Sequence, residues 1–262
     1  KGFTEEGLSK LQCESPTAKR WTTKIIFSIS QIWGTILASI DIKTAYLQSQ
    51  VPEAKQDKND IYVEPPRGDS PIQPDEIFKM ARHKHLYGMK RAGRKWCETL
   101  RDALIEDEWI ADSVDPCLFW KTLTDENGKR VVISFHVDDM VFTGREIFLN
   151  SIKNGLDGKF QVGTFDAIPG NNRENMSGMA KVNSFKFLGA VVSRIQKTLY
   201  VSQAHYHKNF SEMATPTELN EEDLLPRALQ SAARSSLGQL LWIAIFTRPD
   251  ILFETIEIAT CV

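Results

Sequence analysis

No apolar run in this chain reaches the length of a bilayer span, and the opening KGFTEEGLSK lacks the basic-then-apolar order of a secretory signal. A membrane protein is therefore not expected. Cysteine is scarce: Cys13, Cys97, Cys117 and Cys261 are scattered, without the paired spacing of a zinc site or a disulfide framework, and read as structural thiols in a reducing compartment. An excess of one charge is missing too. The formal net charge is −2, so any binding to nucleic acid has to come from local clusters. There is no internal repeat, and no initiating Met, from which a chain cut out of a longer polyprotein or reading frame is expected.

What is present is ordinary for a globular protein: 262 residues, 42% hydrophobic and 25% charged, enough for one large domain with subdomains or for two small domains. The helical spacing of Trp21, Ile25, Ile29, Ile32 and Trp33 predicts a helix that stops at Gly34. TILASIDI reads as a strand ending in Asp41, followed by the turn-prone KTAYLQSQVPE. AKQDKND reads as a polar connection, and the prolines of EPPRGDSPIQP exclude a regular element as far as Pro74. A second helix is expected from Gly93 to Ile110, with Trp96, Leu100, Ala103 and Leu104 on one stripe. DPCLFWKTL and KRVVISFHV read as strands joined across TDENGK, with Asn127 and Gly128 as the turn signal and MVFTG as the next strand. Further along come a helix in REIFLNSIKNGLDGKF, a loop in AIPGNNRENMSGMA and a hairpin of FKFLGAVVSRI with LYVSQ. A short helix in AHYHKNFSEM, an acidic loop in TPTELNEEDLLP and a helix in RALQSAARSSLGQLLWIAIF, ended or interrupted by Pro249, complete the chain. Helices and hairpins interspersed in this way favour an α+β architecture.

ISFHVDDMVFTG sets two adjacent carboxylates, Asp138 and Asp139, between apolar runs, at or next to a hairpin turn. Aspartate is a good turn former, which is one reading. The other is that two like charges repel, and that the cost falls sharply when a divalent cation sits between them and further carboxylates. Spacing alone leaves both open. Asp41, at the end of another apolar strand, adds a third carboxylate. If both strands share a sheet, the three supply the oxygen ligands that a pair of Mg²⁺ ions needs to activate a hydroxyl and stabilise a leaving pyrophosphate. A turn in an unrelated α+β enzyme, with Asp41 far from Asp138, is the competing reading.

Between Lys79 and Arg101 the cations Lys79, Arg82, Lys84, Lys90, Arg91, Arg94, Lys95 and Arg101 stand against the single acid Glu98. Such an excess can neutralise phosphates, although Arg94, Lys95 and Arg101 read as a solvated helix face. His83, His85, His205 and His207 form two His-x-His pairs with no third ligand at a zinc spacing, and read as surface or phosphate-adjacent histidines.

DIKTAYLQSQVPE followed by IYVEPP, then LYGMKRAGRKW, DPCLF, HVDDMVFTG, FLGAVV and TRPDI stand in the order and approximate spacing of the reverse transcriptases of copia-type (Pseudoviridae) LTR retrotransposons. The chain resembles that family over nearly its whole length, to near Ile251. The resemblance implies a right-hand polymerase: a palm with the catalytic carboxylates, partial fingers and the start of a thumb. It assigns residues 1–35 and 53–100 to fingers-like sequence, 36–52 and 101–196 to the palm and 197–262 to a thumb- or connection-like part. Asp41 matches the first catalytic aspartate, and Asp138 and Asp139 match the aspartate pair; all three are implied as catalytic and metal-ligating, with Asp41 and Asp138 the more central.

Tyr46 takes the place of the aromatic that lies under the incoming sugar and disfavours a 2′-hydroxyl, although on its own it reads as a core or surface aromatic. Tyr87, Gly88 and Lys90 match the nucleotide and template side of the pocket, and Phe187, Leu188 and Gly189 match the primer-grip hairpin, although Phe-Leu-Gly is also a plain buried-strand sequence. The resemblance further implies Mg²⁺ as a pair of ions, replaceable by Mn²⁺, and an RNA template, a DNA or RNA primer and a dNTP as partners. RNase H and integrase from the same polyprotein, no membrane, and a cytoplasmic virus-like particle or the nucleus as location also follow from it.

Three departures stand out: His136 where the family usually has Tyr, Gly93 where Pro is usual, and a longer, less regular GTFDAIPGNNRENMSGMAKVN. Neither substitution removes a metal ligand. The finger segment that helps bind the triphosphate is expected upstream of Lys1. Two functions are therefore weighed: an RNA-dependent DNA polymerase module, and a catalytically inactive polymerase-like relic acting in nucleic-acid binding or assembly.

Overall fold

The computed structural model describes residues 14–50, 60–63, 77–81, 83–122, 130–171, 179–210 and 227–261. The connections read in AKQDKND, EPPRGDSPIQP, TDENGK and TPTELNEEDLLP lie outside the described residues, save Asp60. The chain divides into two units, residues 1–185 and 186–262. Among the described residues it is a mixed α/β protein with five α-helices and a mixed sheet.

The first unit is built on strands β1 (Ile36–Ile42), β4 (Ile110–Ala111), β5 (Leu118–Thr122), β6 (Arg130–His136), β7 (Asp139–Gly144), β8 (Val162–Ile168) and β9 (Ala180–Lys181). They form one sheet in the order β4-β5-β6-β7-β1-β8-β9, antiparallel throughout except for β8 beside β9. A separate short ladder joins β2 (Tyr62–Val63) to β3 (Phe78–Lys79). Helices α1 (Arg20–Trp33), α2 (Ala92–Glu106) and α3 (Glu146–Asp157) complete the unit.

Alternation along the strands decides which helix meets which face. Ile36, Ala38 and Ile40 of β1, Ile133 and Phe135 of β6 and Met140 and Phe142 of β7 share one core with Trp96, Leu100 and Leu104 of α2 and Leu149, Ile152 and Leu156 of α3. The alternate residues, among them Ser39, Ser134 and Thr143, are buried on the opposite side, where α1 packs on β6 and β7. That face is rich in hydroxyls, with Thr35 Oγ1 2.8 Å from Thr143 Oγ1.

This explains a departure from the expected pattern. Helix α1 forms and stops at Gly34, which caps it at a φ of 64°, as expected. Yet it buries Thr22, Thr23, Ile26, Phe27 and Ser30 rather than the Trp21–Ile32 stripe, and Ile32 is 80% exposed. Helix α2 ends at Glu106, before the expected Ile110, because the backbone turns through Asp107 and Glu108 and Ile110 enters β4 beside Trp120. The loop expected to begin at Ala167 begins later: Ala167 and Ile168 are buried in β8 and pair with β1.

In the second unit, β10 (Ser184–Phe187, which spans the boundary), β11 (Ala190–Ile195) and β12 (Thr198–Ser202) form a three-stranded sheet. The expected hairpin of β11 with β12 is present, but FKFLGAVVSRI is two strands rather than one. Helix α4 (Arg227–Phe246) is interrupted before Pro249 and followed by α5 (Leu252–Cys261), which sequence periodicity left unread.

Candidate active site

Strands β6 and β7 meet in the two-residue connection Val137-Asp138, closed by the pair His136 and Asp139. Val137 sits at a φ of 63°, a strained conformation for a β-branched residue, while Asp138 does not share the positive φ. That is the pattern of a type II′ hairpin turn. The Trp96 indole N–H donates to the Val137 carbonyl at 2.7 Å, and the Ile42 N–H donates to the Asp138 carbonyl at 3.0 Å.

Strand β1 runs beside β7 in a register that sets Asp41 directly opposite Asp139. Residues paired in this way project to the same face of the sheet, so the two carboxylates emerge together, next to the turn that bears Asp138. On its other side β1 shifts register against β8 between Ile40 and Ile42, which leaves Asp41 at a bulge, a device that re-aims a side chain at a site. Gly163 of β8 lies against it. A Cβ there would stand 3.1 Å from the Asp41 carbonyl oxygen and 3.5 Å from its Oδ2, so a bare backbone keeps that carboxylate uncrowded.

The electrostatics follow from this crowding of like charge. Burial first, then Asp138 and Asp41, push the Asp139 carboxyl up from 3.8 to about 6. Asp41 is raised by burial and by Asp138, with Lys43 pulling the other way. Burial holds the His136 imidazole below its ordinary value, with Asp138 opposing, and the ring donates to the Ala18 carbonyl. Among the described residues no three Asp, Glu, His or Cys side chains are gathered closely enough to hold a metal ion as they stand. In chemistry the donor set still fits a hard divalent cation: its ligands are all carboxylate oxygens, and Asp138 adds to the burial that raises Asp41 and Asp139.

Tyr46 lies on a 3-10 turn, Ala45–Gln48, directly after β1. Gln48 ties that turn to the start of β8: its amide donates to the Gln161 carbonyl at 3.0 Å, and the Gln161 N–H donates to its Oε1 at 2.6 Å. The Tyr46 ring meets Tyr87 with centroids 4.5 Å apart. Both phenols are raised, by burial and then by the charge of Asp138. Both rings thus feel the charge of Asp138, and Tyr87 that of Asp41 as well. Gly88 follows Tyr87 at a φ of 93° with open space where a Cβ would be, and Lys90 is exposed further along the same loop.

Phe187, Leu188 and Gly189 belong to the second unit. Phe187 is buried, while Leu188 and Gly189, at φ of 45° and 71°, make the turn from β10 to β11. A Cβ on Gly189 would stand 3.0 Å from the Tyr206 hydroxyl.

Other expected roles shift. Arg94 and Lys95 each bond Glu98 at 2.9 Å, and Lys95 is buried; Arg101 donates to the Pro116 carbonyl. Arg94 and Lys95 thus pair within α2 and Arg101 ties the helix to the segment before β5, rather than forming a solvated face. His85 is buried beside Ser49 Oγ at 3.3 Å, so it is not a surface histidine. Arg82 lies outside the described residues. Gly163, Gln48 and the Trp96 indole were not legible as parts of the site; the β-forming Val162, Phe165 and Ile168 were the available signal for the strand that carries Gly163.

Comparison with known proteins supplies a family. The model of the family described as reverse transcriptase (RNA-dependent DNA polymerase) matches residues 1–208. A retrovirus-related Pol polyprotein from transposon TNT 1-94 of Nicotiana tabacum is 26% identical over 270 residues, covering 96% of this chain and 19% of the relative. That from transposon RE1 of Arabidopsis thaliana is 24% identical over 270 residues, covering 97% of this chain and 16% of the relative. The transposon Ty1-MR1 Gag-Pol polyprotein of Saccharomyces cerevisiae is 28% identical over 144 residues, which is 55% of this chain and 7% of the relative. The chain thus spans less than a fifth of the length of these relatives.

Proposed function

The chain belongs to the reverse transcriptase family of the copia-type retrotransposon Pol polyproteins, and on that premise we propose that it works as the RNA-dependent DNA polymerase module of such a polyprotein. The observation that carries the reading is the pairing of Asp41 with Asp139 beside the turn that presents Asp138. The reaction joins the 3′-oxygen of a DNA or RNA primer, paired to an RNA template, to the α-phosphorus of a dNTP, with pyrophosphate leaving.

In this reading residues 36–52 and 101–196 form the palm, 1–35 and 53–100 contribute fingers, and 197–262 make a thumb- or connection-like part. Asp41 and Asp138 would hold the metal, with Asp139 in support; a pair of Mg²⁺ ions, or Mn²⁺, would supply Lewis-acid stabilisation of the charge that develops in the transfer. Tyr46, its ring against that of Tyr87, lies under the incoming sugar and disfavours a 2′-hydroxyl. The bare backbone of Gly88 lets the nucleotide approach closely, and Lys90 offers its charge to a template phosphate. The turn at Phe187, Leu188 and Gly189 steadies the primer. RNase H and integrase act alongside, from the same polyprotein.

The test is Mg²⁺-dependent primer extension on an RNA template. Extension that disappears in Asp41→Asn and Asp138→Asn supports the reading, and extension that survives Asp138→Asn unchanged overturns it. Nucleic-acid binding without extension or a Mn²⁺-dependent thermal shift favours a polymerase-like relic that binds or assembles.

A further inference from the structure

We infer that Trp96 is a positioning residue for this site: its indole N–H holds the peptide that aims Asp138. The inference deepens the polymerase reading and rests on it for the role of Asp138. Trp96 is 1% exposed, and its ring meets Phe160 edge-on at 5.2 Å and 76°, so the indole is fixed in direction. Its N–H reaches across from α2 to the Val137 carbonyl at 2.7 Å.

That carbonyl belongs to the peptide plane between Val137 and Asp138. Its direction sets ψ of Val137 and φ of Asp138, and with them the direction in which the Asp138 side chain leaves the turn. Two-residue hairpins accept both the II′ and the I′ turn, and the two differ mainly by a flip of this central peptide. Val137 already has the positive φ that both share, and Asp is one of the residues that tolerates a positive φ at the second position. The paired strands therefore do not choose between the two turns. The bonds around the turn divide the work: the His136 and Asp139 pair closes the ladder, and the Ile42 N–H takes the Asp138 carbonyl. The Trp96 N–H is what meets the flipping plane, and without it the half-buried carbonyl loses its donor.

The test replaces Trp96 in the full chain with 3-benzothienylalanine, which keeps the ring shape and lacks the N–H, alongside Trp96→Phe. Three readouts are followed: thermal unfolding, the amide NMR signals of the turn, and Mn²⁺ affinity by calorimetry. For the benzothienyl variant the expected result is an unfolding temperature close to that of the unsubstituted chain and Val137 and Asp138 signals shifted while those of Ile133 and Phe142 stay in place. Mn²⁺ affinity should fall about tenfold, the usual loss when the support of a metal ligand is removed. Trp96→Phe should reproduce the turn shift and the lost affinity, with a lower unfolding temperature from the smaller ring. Unmoved turn signals in the folded benzothienyl variant overturn the inference, and so does an unchanged Mn²⁺ affinity. If the unsubstituted chain binds no Mn²⁺, the metal reading of Asp138 fails, and the turn signals alone decide whether Trp96 holds the turn.

Discussion

Asp139→Asn is expected to stabilise the fold above neutral pH. The Asp139 carboxyl titrates at about 6 instead of 3.8, chiefly through burial and then through Asp138 and Asp41. Because its folded-state value is raised, the folded protein keeps a proton that the unfolded chain has already released between those two values. Stability therefore falls as pH rises from about 4 to about 6, and levels off above that. At about 1.4 kcal/mol for each tenfold change in proton affinity, the rise corresponds to about 3 kcal/mol for a fully shielded group. The side chain is only half-buried, and solvent screening reduces this to about 1–2 kcal/mol. Asn carries no such penalty. Urea unfolding at pH 8 should show the variant more stable by about 1–2 kcal/mol, with the gain shrinking towards zero near pH 4. A variant less stable at pH 8, or a gain of equal size at pH 4 and pH 8, would refute the reasoning.

Gly163→Val should crowd the Asp41 carboxylate, from which a Cβ would be only 3.5 Å away, and weaken Mn²⁺ binding measured by calorimetry. Asp115→Ala removes a fully buried carboxylate that accepts the N–H groups of Lys19 at 2.9 Å and Cys117 at 3.0 Å and the Thr22 hydroxyl. Urea melts should show a loss of about 3 kcal/mol or more, since these bonds go to a charged group and their donors are left without it. Gly189→Ala combines a φ of 71° with a Cβ 3.0 Å from the Tyr206 hydroxyl. Thermal unfolding should show a loss above the about 1–2 kcal/mol that the strain of the positive φ alone would cost.

Where an element's own residues carried its period, the sequence read well. The apolar stripe of α2, the strands β5 to β7 and the stop of α1 at Gly34 are local patterns that the tertiary structure did not override. Strand β8 was missed because Val162–Ile168 contains Gly163 and Asp166 and owes its extended form to the open edge of β1, more than a hundred residues earlier in the chain. The buried face of α1 was misjudged for a related reason. Its partner is a sheet face lined by Ser39, Ser134 and Thr143, so hydroxyls on the helix are buried there and Ile32 is left outside.

The candidate carboxylates could be picked out of the sequence, because a motif is a matter of residue type and order. Asp41, Asp138 and Asp139 could be named without coordinates, as could Tyr46 and Tyr87. Their arrangement was not, because strand register, peptide orientation and side-chain contact arise only when distant segments meet. Tertiary structure alone decided that Asp41 stands opposite Asp139 at a bulge, that Gly163 leaves it room, and that Trp96, a core residue by its periodicity, gives its N–H to the turn beneath Asp138.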